Sequence, residues 1–598
     1  MSYALVSVSD KRSIHIVGDY LTNNGYRIIS SGGTYKRLRE LYEDYPHLYK
    51  VEDITGFPEI LGGRVKTLHP YIHGGILALS NNDKHINELH HKGIHKISIV
   101  VVNLYPFKRS IQEQPDNIDN AIENIDIGGH TLIRAAAKNY KDVLTITNPD
   151  DYERIFKELT VEQFNSEEVR RNMAEKAWKH ITDYDITITQ YFNKDSIYRH
   201  YEKKASLKYG CNPHQNEAFL NKISNGDNVN DVPFEIINGN PGYINILDAI
   251  NSWQLVNELG ETLQMPVAAS FKHTSPAGVG VGMNEIPTTL KKAYFLKEEK
   301  EYSPTTRAYI RARNADPMSS FGDFIAIYGI IDEELARFIK REISDGIIAN
   351  DYTPIALQIL KEKKRGKYII LKGRNVKYNQ HEYRELGGLC LSQNVNNAIT
   401  TNHYLDKIVT KNQSMNTMDK MNLIIANTSL KYAQSNSVAY AYEGQLIGLG
   451  AGQQSRVDCV KLAGRKADIW FLRSHPKVLQ LHQYFVEGTK RQAKVNACIR
   501  YIEGDFTTIE KEHWDKLFVK NIEPLTTEEK NEYISKQNGV ALASDAFFPF
   551  RDNIDHASKH GIRCVIQPGG SIADTKIIEA CNEYGITMCF SNIRVFTH

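Results

Sequence analysis

The sequence predicts an α/β fold, on three observations. Short apolar runs alternate with stretches of helical spacing along the first 150 or so residues, the pattern of strands crossing over through helices. The run ISIVVVNL at 97–104 is apolar on both faces, as in a parallel strand covered by helices on each side. Glycine-rich segments follow directly on apolar runs, at the strand ends where α/β proteins build sites. With 598 residues and about 150 per domain, the chain has material for about four domain-sized units.

Element by element, ALVSV at 4–8 reads as a buried strand, and Ser9 and Asp10 as caps of a following helix. YRIIS at 26–30 reads as a second strand, and YKRLRELYE as a helix. DVLTIT at 142–147 is another strand, and 151–192 is expected to be largely helical, with Val169, Met173, Ala177, Ile181 and Ile188 on one face. The charged stretch 193–207 places a domain boundary near residue 200, giving domains 1–200 and 201–598. Beyond it, VAASF, DFIAIY, QLIGLGAG and GIRCVIQ read as strands, and ILDAINSWQLVNELGETL and DTKIIEACNEY as helices. The polar stretches 221–232 and 361–384 read as surface loops or insertions, and no internal repeat is visible.

Composition excludes several classes. Lys plus Arg number 73 against 71 Asp plus Glu, a near-neutral chain with no global footprint for nucleic acid. The seven cysteines include no Cys-x-x-Cys pair, which disfavours a disulfide scaffold or zinc ribbon and fits a reducing compartment. MSYALVSVSD shows no basic region followed by an apolar one, and the longest apolar run is far short of the roughly 20 residues of a membrane span. A cytosolic protein without membrane or nucleic-acid partners is expected.

Several clusters carry chemistry. Ser30 to Thr34 (SSGGT), between a strand and a helix, has the makings of an anion cradle, although a plain turn has the same composition. In LGGRVKTLHP, Arg64 and Lys66 share one side of an extended segment. In ENIDIGGHTLIRAAAKNY, Asp126 precedes a glycine pair, and Arg134 and Lys138 lie one helical turn apart; Tyr105 ends the apolar strand. SFKHTSPAG sets Lys272 beside His273, an oxyanion stabiliser beside a proton acceptor. QSNSV, GAGQQSR, SDAFFPFRDN and QPGGSIAD add further glycine, amide and charged groups, and so many in one chain argue for a large polar pocket with aromatic walls.

The blocks SGGT, RVKTLHP, HGGILA, NLYPF, ENIDIGG and RAAAKN closely resemble the IMP cyclohydrolase domain of the bifunctional AICAR transformylase/IMP cyclohydrolase family. YGCNPHQ, SFKHTSPAG, ADPMSSFGDF, SDGIIA, KYAQSNSV, GLGAGQQSR, SDAFFPFRDN and NIRVFTH resemble its transformylase domain, in the family's order from Val6 to His598. The resemblance implies an N-terminal methylglyoxal synthase-like domain and two cytidine-deaminase-like subdomains. It implies formyl transfer from 10-formyltetrahydrofolate to AICAR, then closure of FAICAR to IMP with loss of water. A PCxxC zinc pair is lacking, so no metal is expected; a bound monovalent cation stays open. A homodimer is also implied.

By the same resemblance, Ser9, Asp10, Lys11, Ser31, Gly32, Gly33, Thr34, Arg64, Val65, Lys66, Thr67, Val102, Asn103, Asp126 and Ile127 bind IMP or FAICAR. Lys66, Tyr105, Asp126 and Lys138 are its catalytic groups, with Lys138 as proton acceptor, a role that Lys66 and Arg64 are expected to favour from nearby. In the other half His273 removes the amine proton and Lys272 faces the oxyanion. Lys208, Tyr209, Gly322, Asp345, Asn436, Arg456, Phe547 and Arg594 contact AICAR; Val457, Asp552, Ser571 and Ile572 contact folate. Phe321 and Phe547 read as stacking walls or as core. The chain departs from many relatives at Lys208, where Arg is common, and at Gly569, where several carry Ser. The rival readings are an inactive nucleotide-binding homologue, which would lack one of Lys66, Lys138, Lys272 or His273, and an RNA-binding protein.

Overall fold

The computed structural model describes residues 2–224, 232–376 and 380–598. They form two compact units, one built on the residues up to Tyr201 and one on those from Glu202 onward, with Ile223 and Ser224 grouping with the first.

The first unit holds a parallel sheet of β1 (Tyr3–Val8), β2 (Arg27–Ser30), β3 (Leu48–Lys50), β4 (Ile97–Asn103) and β5 (Leu144–Ile146), in the order β3-β2-β1-β4-β5. Side chains alternate between two cores, as a period of two requires. Tyr3 and Leu5 of β1, with Val100 and Val102 of β4, face one core; Ala4, Val6 and Val8, with Ile99 and Val101, face the other. Helix α1 (Ile14–Asn23) and α2 (Gly32–Leu41) cover one face; α3 (Gly128–Lys138) and α4 (Glu167–Phe192) cover the other. The order reverses between β1 and β4, the switch point where a doubly wound sheet opens a crevice at its strand ends.

Two expectations for this unit change. The first helix starts at Ile14, with Ser13 rather than Ser9 or Asp10 at its N-cap position and no side-chain capping bond there. The Asp10 carboxylate is engaged locally, accepting from the Arg12 backbone N–H at 3.0 Å and from its guanidinium at 2.8 Å. Residues 151–192 are not one helical run: short 3₁₀, π and α turns precede α4, which Ser166 caps through Val169 N–H at 3.2 Å.

Strands β6 (His200–Ser206) and β7 (Phe219–Ser224) form a two-stranded ribbon whose residues fall on both sides of that division, and in the second unit β14 (His381–Leu386) and β15 (Leu389–Asn394) form another. The remaining strands make one sheet of eleven: β8 (Phe234–Asn238), β9 (Val267–Lys272), β10 (Ser275–Val281), β11 (Asp323–Ile331), β12 (Ser344–Tyr352), β13 (Ile369–Gly373), β16 (Val438–Tyr442), β17 (Gln445–Gly450), β18 (Val540–Ser544), β19 (Ile562–Gln567) and β20 (Thr587–Phe590). Their order is β20-β19-β18-β16-β17-β10-β9-β11-β12-β13-β8.

This order contains a repeat that the sequence hides. The first copy runs α5 (Tyr243–Leu263), hairpin β9–β10, α6 (Pro304–Ala315), β11, α7 (Glu333–Arg341), β12, α8 (Pro354–Lys361), β13. The second runs α9 (Thr417–Lys431), hairpin β16–β17, α10 (Arg456–Leu472), β18, α11 (Asp552–Ala557), β19, α12 (Asp574–Glu583), β20. In each, the hairpin is antiparallel to the next strand, and the last three strands are parallel. The copies join where β10 runs antiparallel to β17, at Gly280 and Gln445. Helices α5 and α9 bury one core shared by both copies; α6–α8 and α10–α12 cover the other face.

Each hairpin's second strand carries a Gly-x-Gly against the helix that follows. A Cβ at Gly278 would overlap the Ala312 carbonyl; at Gly448 and Gly450 it would overlap those of Ala463 and Cys459. Only glycine admits helices this close. The stretch 361–384, expected as a loop, contains β13, an interior strand with Ile370 and Leu371 fully buried; its three apolar residues are masked by charged flanks. Part of 221–232 is strand β7, and the rest of that stretch lies outside the described residues up to Asp231.

Candidate active sites

At the switch point of the first unit, Asn103 at the end of β4 grips the chain after β1. Its Oδ1 accepts from Asp10 N–H at 2.8 Å and its Nδ2 donates to Asp10 O at 3.0 Å. Thr34 Oγ1 closes the crevice floor with bonds to Val8 N and O at 3.0 Å each, and Ser7 and Ser31 hydroxyls meet at 2.8 Å. Helix α2 begins at Gly32, so its free N–H groups and positive dipole end face this crevice. Two cations reinforce it: the Lys66 Nζ lies 3.6 Å from where a Gly32 Cβ would stand, and the Lys11 Nζ 3.7 Å from that of Gly33. The geometry suits a phosphate.

Across the crevice Asp126 precedes α3. Its carboxylate accepts from Gly129 N–H at 2.7 Å, and its own N–H donates to the Tyr184 hydroxyl at 2.8 Å. Burial pushes the Asp126 carboxyl above its ordinary range, while the N–H groups of Gly129 and Tyr105 and the nearby His130 and Lys66 draw it back. Lys66 also pairs with Glu59 at 3.3 Å, and Arg64 pairs with Glu123. Thr67 is buried with its hydroxyl against Gly128, Val65 bridges to Ile60, Val102 is in the core, and Tyr105 and Ile127 are exposed. Lys66, Tyr105 and Asp126 thus converge. Lys138 does not join them: it is the last residue of α3, and a rise of 1.5 Å per residue puts it about 15 Å along the helix from the Asp126 end. The sequence block that contains both residues is a rod, and proximity along it is not proximity in space.

In the second unit the strand directions bring almost every expected residue to one edge of the sheet. The ends of β9, β17, β18, β19 and β20 and the starts of β10, β11, β12 and β16 all lie there. His273 and Thr274 form the β9–β10 turn, paired across Lys272 and Ser275. Both are left-handed, with φ of 53° and 61°, a conformation that favours glycine and strains a β-branched threonine. Lys272 Nζ donates to Phe321 O at 2.7 Å, at the segment that leads through Gly322 into β11. Below it, Ser270 Oγ donates to Asp323 at 2.6 Å, and Asp323 pairs with Arg313 at 2.7 Å, all buried. Asp345, at the start of β12, pairs with Lys364 at 2.7 Å.

The second copy supplies the opposite wall. Arg456 at the start of α10 is buried against Asp545 and donates to Ser437 O at 2.9 Å; Ser437 N–H and Oγ bond the same carboxylate at 2.9 and 2.8 Å. Asn436 Oδ1, next in sequence to Ser437, is buried without a hydrogen-bond partner, an acceptor left open. Gln434 N–H reaches Ser275 Oγ at 3.1 Å, which ties this wall to the His273 turn. Phe321 and Phe547 are both exposed, so neither belongs to the core. Ser571 holds Ala573 N–H at 3.0 Å, and Ile572 beside it is wholly exposed. Val457 follows Arg456 on α10, Asp552 opens α11, and Arg594 lies over the Phe596 ring at 4.6 Å. Lys208 lies 5.2 Å from the Tyr209 ring, and Tyr209 O accepts from Tyr243 N–H at the start of α5. Sequence reasoning missed Asp323, Arg313 and Asp248, whose carboxylate accepts from Thr274 N–H at 2.7 Å. Asp323 stood in the quoted ADPMSSFGDF block; Asp248 had no signal beyond its place on a helix.

A glycine-edged anion crevice on one sheet and a polar edge with a strained histidine turn on another define a two-site α/β protein for phosphorylated, polar small molecules. Comparison with known proteins sharpens this. The model of the AICARFT/IMPCHase bienzyme family matches residues 136–466, more than half of the chain, and that of the MGS-like domain matches 16–131. Proteins named bifunctional purine biosynthesis protein PurH from Persephonella marina, Acetivibrio thermocellus and Leptospira biflexa are each 33% identical, over 100% of this chain and 99% of theirs. A solved structure titled Crystal structure of ForH shares 33% identity, covering 32% of this chain and 99% of its own, with a TM-score of 0.28. The chain belongs to the AICARFT/IMPCHase bienzyme family: it is a bifunctional enzyme of purine biosynthesis with an MGS-like N-terminal domain.

Proposed function

We propose that the β9–β10 edge is the transformylase site and the β1/β4 crevice the cyclohydrolase site, with the domains divided near residue 200. At the first site the 5-amino group of AICAR attacks the formyl carbon of 10-formyltetrahydrofolate. His273 takes the amine proton, and the Lys272 ammonium, anchored on Phe321 O, faces the developing oxyanion. Collapse of the tetrahedral intermediate expels the N10 nitrogen of tetrahydrofolate, which takes up a proton. The AICAR contacts are Lys208, Tyr209, Gly322, Asp345, Asn436, Arg456, Phe547 and Arg594; exposed Ile572, with Val457, Asp552 and Ser571, meets the folate. At the second site the phosphate of FAICAR sits on the start of α2 between Lys11 and Lys66. Its carboxamide nitrogen attacks the formyl carbon, and the former formyl oxygen leaves as water. Lys66, Tyr105 and Asp126 act there; a role for Lys138 requires it to be delivered from outside this crevice, as by a second copy in a homodimer. The cytoplasm is the proposed location.

The observation that carries this reading is the strained His273–Thr274 turn, set on a polar edge beside an anchored lysine. His273→Ala is expected to slow formyl transfer by roughly 100- to 10,000-fold and to leave cyclisation of supplied FAICAR intact. A normal rate of AICAR formylation in this variant would overturn the assignment.

A further inference from the structure

The duplicated half contains its own control for the histidine turn. The second hairpin turns through Glu443 and Gly444, again with both φ values positive, at 44° and 75°. In each copy the N–H of the second turn residue is held by a side chain of the preceding helix: Thr274 N–H by Asp248 at 2.7 Å, Gly444 N–H by Asn422 at 3.0 Å. Asp248 is the sixth residue of α5 and Asn422 the sixth of α9, and both are buried. The two copies thus use one device with two differences. The second copy relieves the turn with glycine and holds it with a neutral amide. The first keeps threonine and holds it with a carboxylate.

A neutral acceptor suffices to hold such a turn, as Asn422 shows, and a buried carboxylate is the costlier choice. The charge therefore has another object. Burial pushes the Asp248 carboxyl up to about 6, and His273 is near enough to oppose that shift. The other carboxylates near Asp248 are engaged, Asp323 with Arg313 and Asp345 with Lys364. We propose that Asp248 is a positioning residue for formyl transfer: it holds the His273–Thr274 turn through Thr274 N–H and sets its negative charge toward His273 as that side chain takes up the amine proton. This rests on the assignment of His273 as proton acceptor, and it follows the logic by which a third group orients and charge-balances a catalytic base.

The test is steady-state formyl transfer at varied AICAR in the full chain, with FAICAR cyclisation run in parallel. Asp248→Asn keeps the acceptor oxygen and removes the charge; kcat is expected to fall about tenfold with AICAR KM unchanged. Asp248→Ala also releases the turn and is expected to lose about 100-fold in kcat. Adding Thr274→Gly to Asp248→Ala gives the turn the glycine of the second hairpin, relieves the strain, and is expected to recover part of that loss, to about the level of Asp248→Asn. Full kcat in Asp248→Asn would overturn the charge role. Full kcat in Asp248→Ala, or a loss matched by an equal loss of cyclisation, would overturn the positioning role. If His273→Ala is itself fully active the underlying assignment fails; if His273→Ala is inactive while both Asp248 variants are normal, only this inference fails.

Discussion

Asp248→Asn should stabilise the protein at neutral pH. Burial pushes the carboxyl up to about 6 in the fold, from an ordinary value of 3.8. The native state therefore holds this proton more tightly than the unfolded chain does. Stability from the protonated form is fully present below about pH 4 and is lost as pH rises through about 6. At 1.36 kcal/mol per pKa unit, keeping the group ionised costs about 3 kcal/mol at pH 7.5, and about 1 kcal/mol at pH 4.5. Asparagine preserves the acceptor for Thr274 N–H and carries no such cost. The variant should thus exceed the wild type by about 3 kcal/mol at pH 7.5, a gain that shrinks to about 1 kcal/mol at pH 4.5. Urea unfolding can be followed by tryptophan fluorescence, since Trp253 is buried on the same helix. A variant no more stable than wild type at neutral pH, or a gain that does not shrink on acidification, would refute the reasoning.

Other substitutions probe the rest of the frame. Gly448→Ala drives a methyl group into the Ala463 carbonyl and should cost about 1–3 kcal/mol in urea unfolding, with formyl transfer impaired and cyclisation spared; unchanged stability would show that α10 yields readily. Asp545→Ala strands the buried Arg456 and should cost about 3–5 kcal/mol in the same assay, and a loss below about 1 kcal/mol would mean water reaches the guanidinium. Lys208→Ala should raise the AICAR KM and leave cyclisation untouched, while Lys208→Arg should be tolerated, Arg being the stronger phosphate clamp; an unchanged KM in the alanine variant would remove Lys208 from the phosphate.

The parallel sheet of the first unit was legible because strands buried on both faces must be apolar throughout, and β1, β2, β4 and β5 stand out as such runs. The clusters around Lys66 and His273 were legible because glycines and charges concentrate where strands end. What the chain hides has physical causes. Ser9–Asp10 has the composition of a helix cap, yet the Asp10 backbone pairs with Asn103 of a strand 93 residues away and its carboxylate is taken by Arg12. Strand β13 is three apolar residues between charges, too short to show a period. Lys138 reads as a neighbour of Asp126 because a helix compresses to a short phrase in sequence. The repeat left little trace because its copies share strand order and helix placement, which many sequences satisfy; the paired Gly278-Val279-Gly280 and Gly448-Leu449-Gly450 are its faint imprint. Asp248 gave no sign because its role depends on a turn 26 residues further on.

The antiparallel seam between β10 and β17 has a consequence for stoichiometry. Two copies joined through their equivalent strands in antiparallel fashion face opposite directions, so their hairpin turns emerge at opposite edges of the sheet. Duplication therefore did not double the polar edge. One copy brings its hairpin turn there, and the other brings the far ends of its strands there as the facing wall. The Glu443–Gly444 turn lies at the opposite rim and places glycine at its second left-handed position. A chain that contains the unit twice thus presents one left-handed histidine turn, not two, at the polar edge.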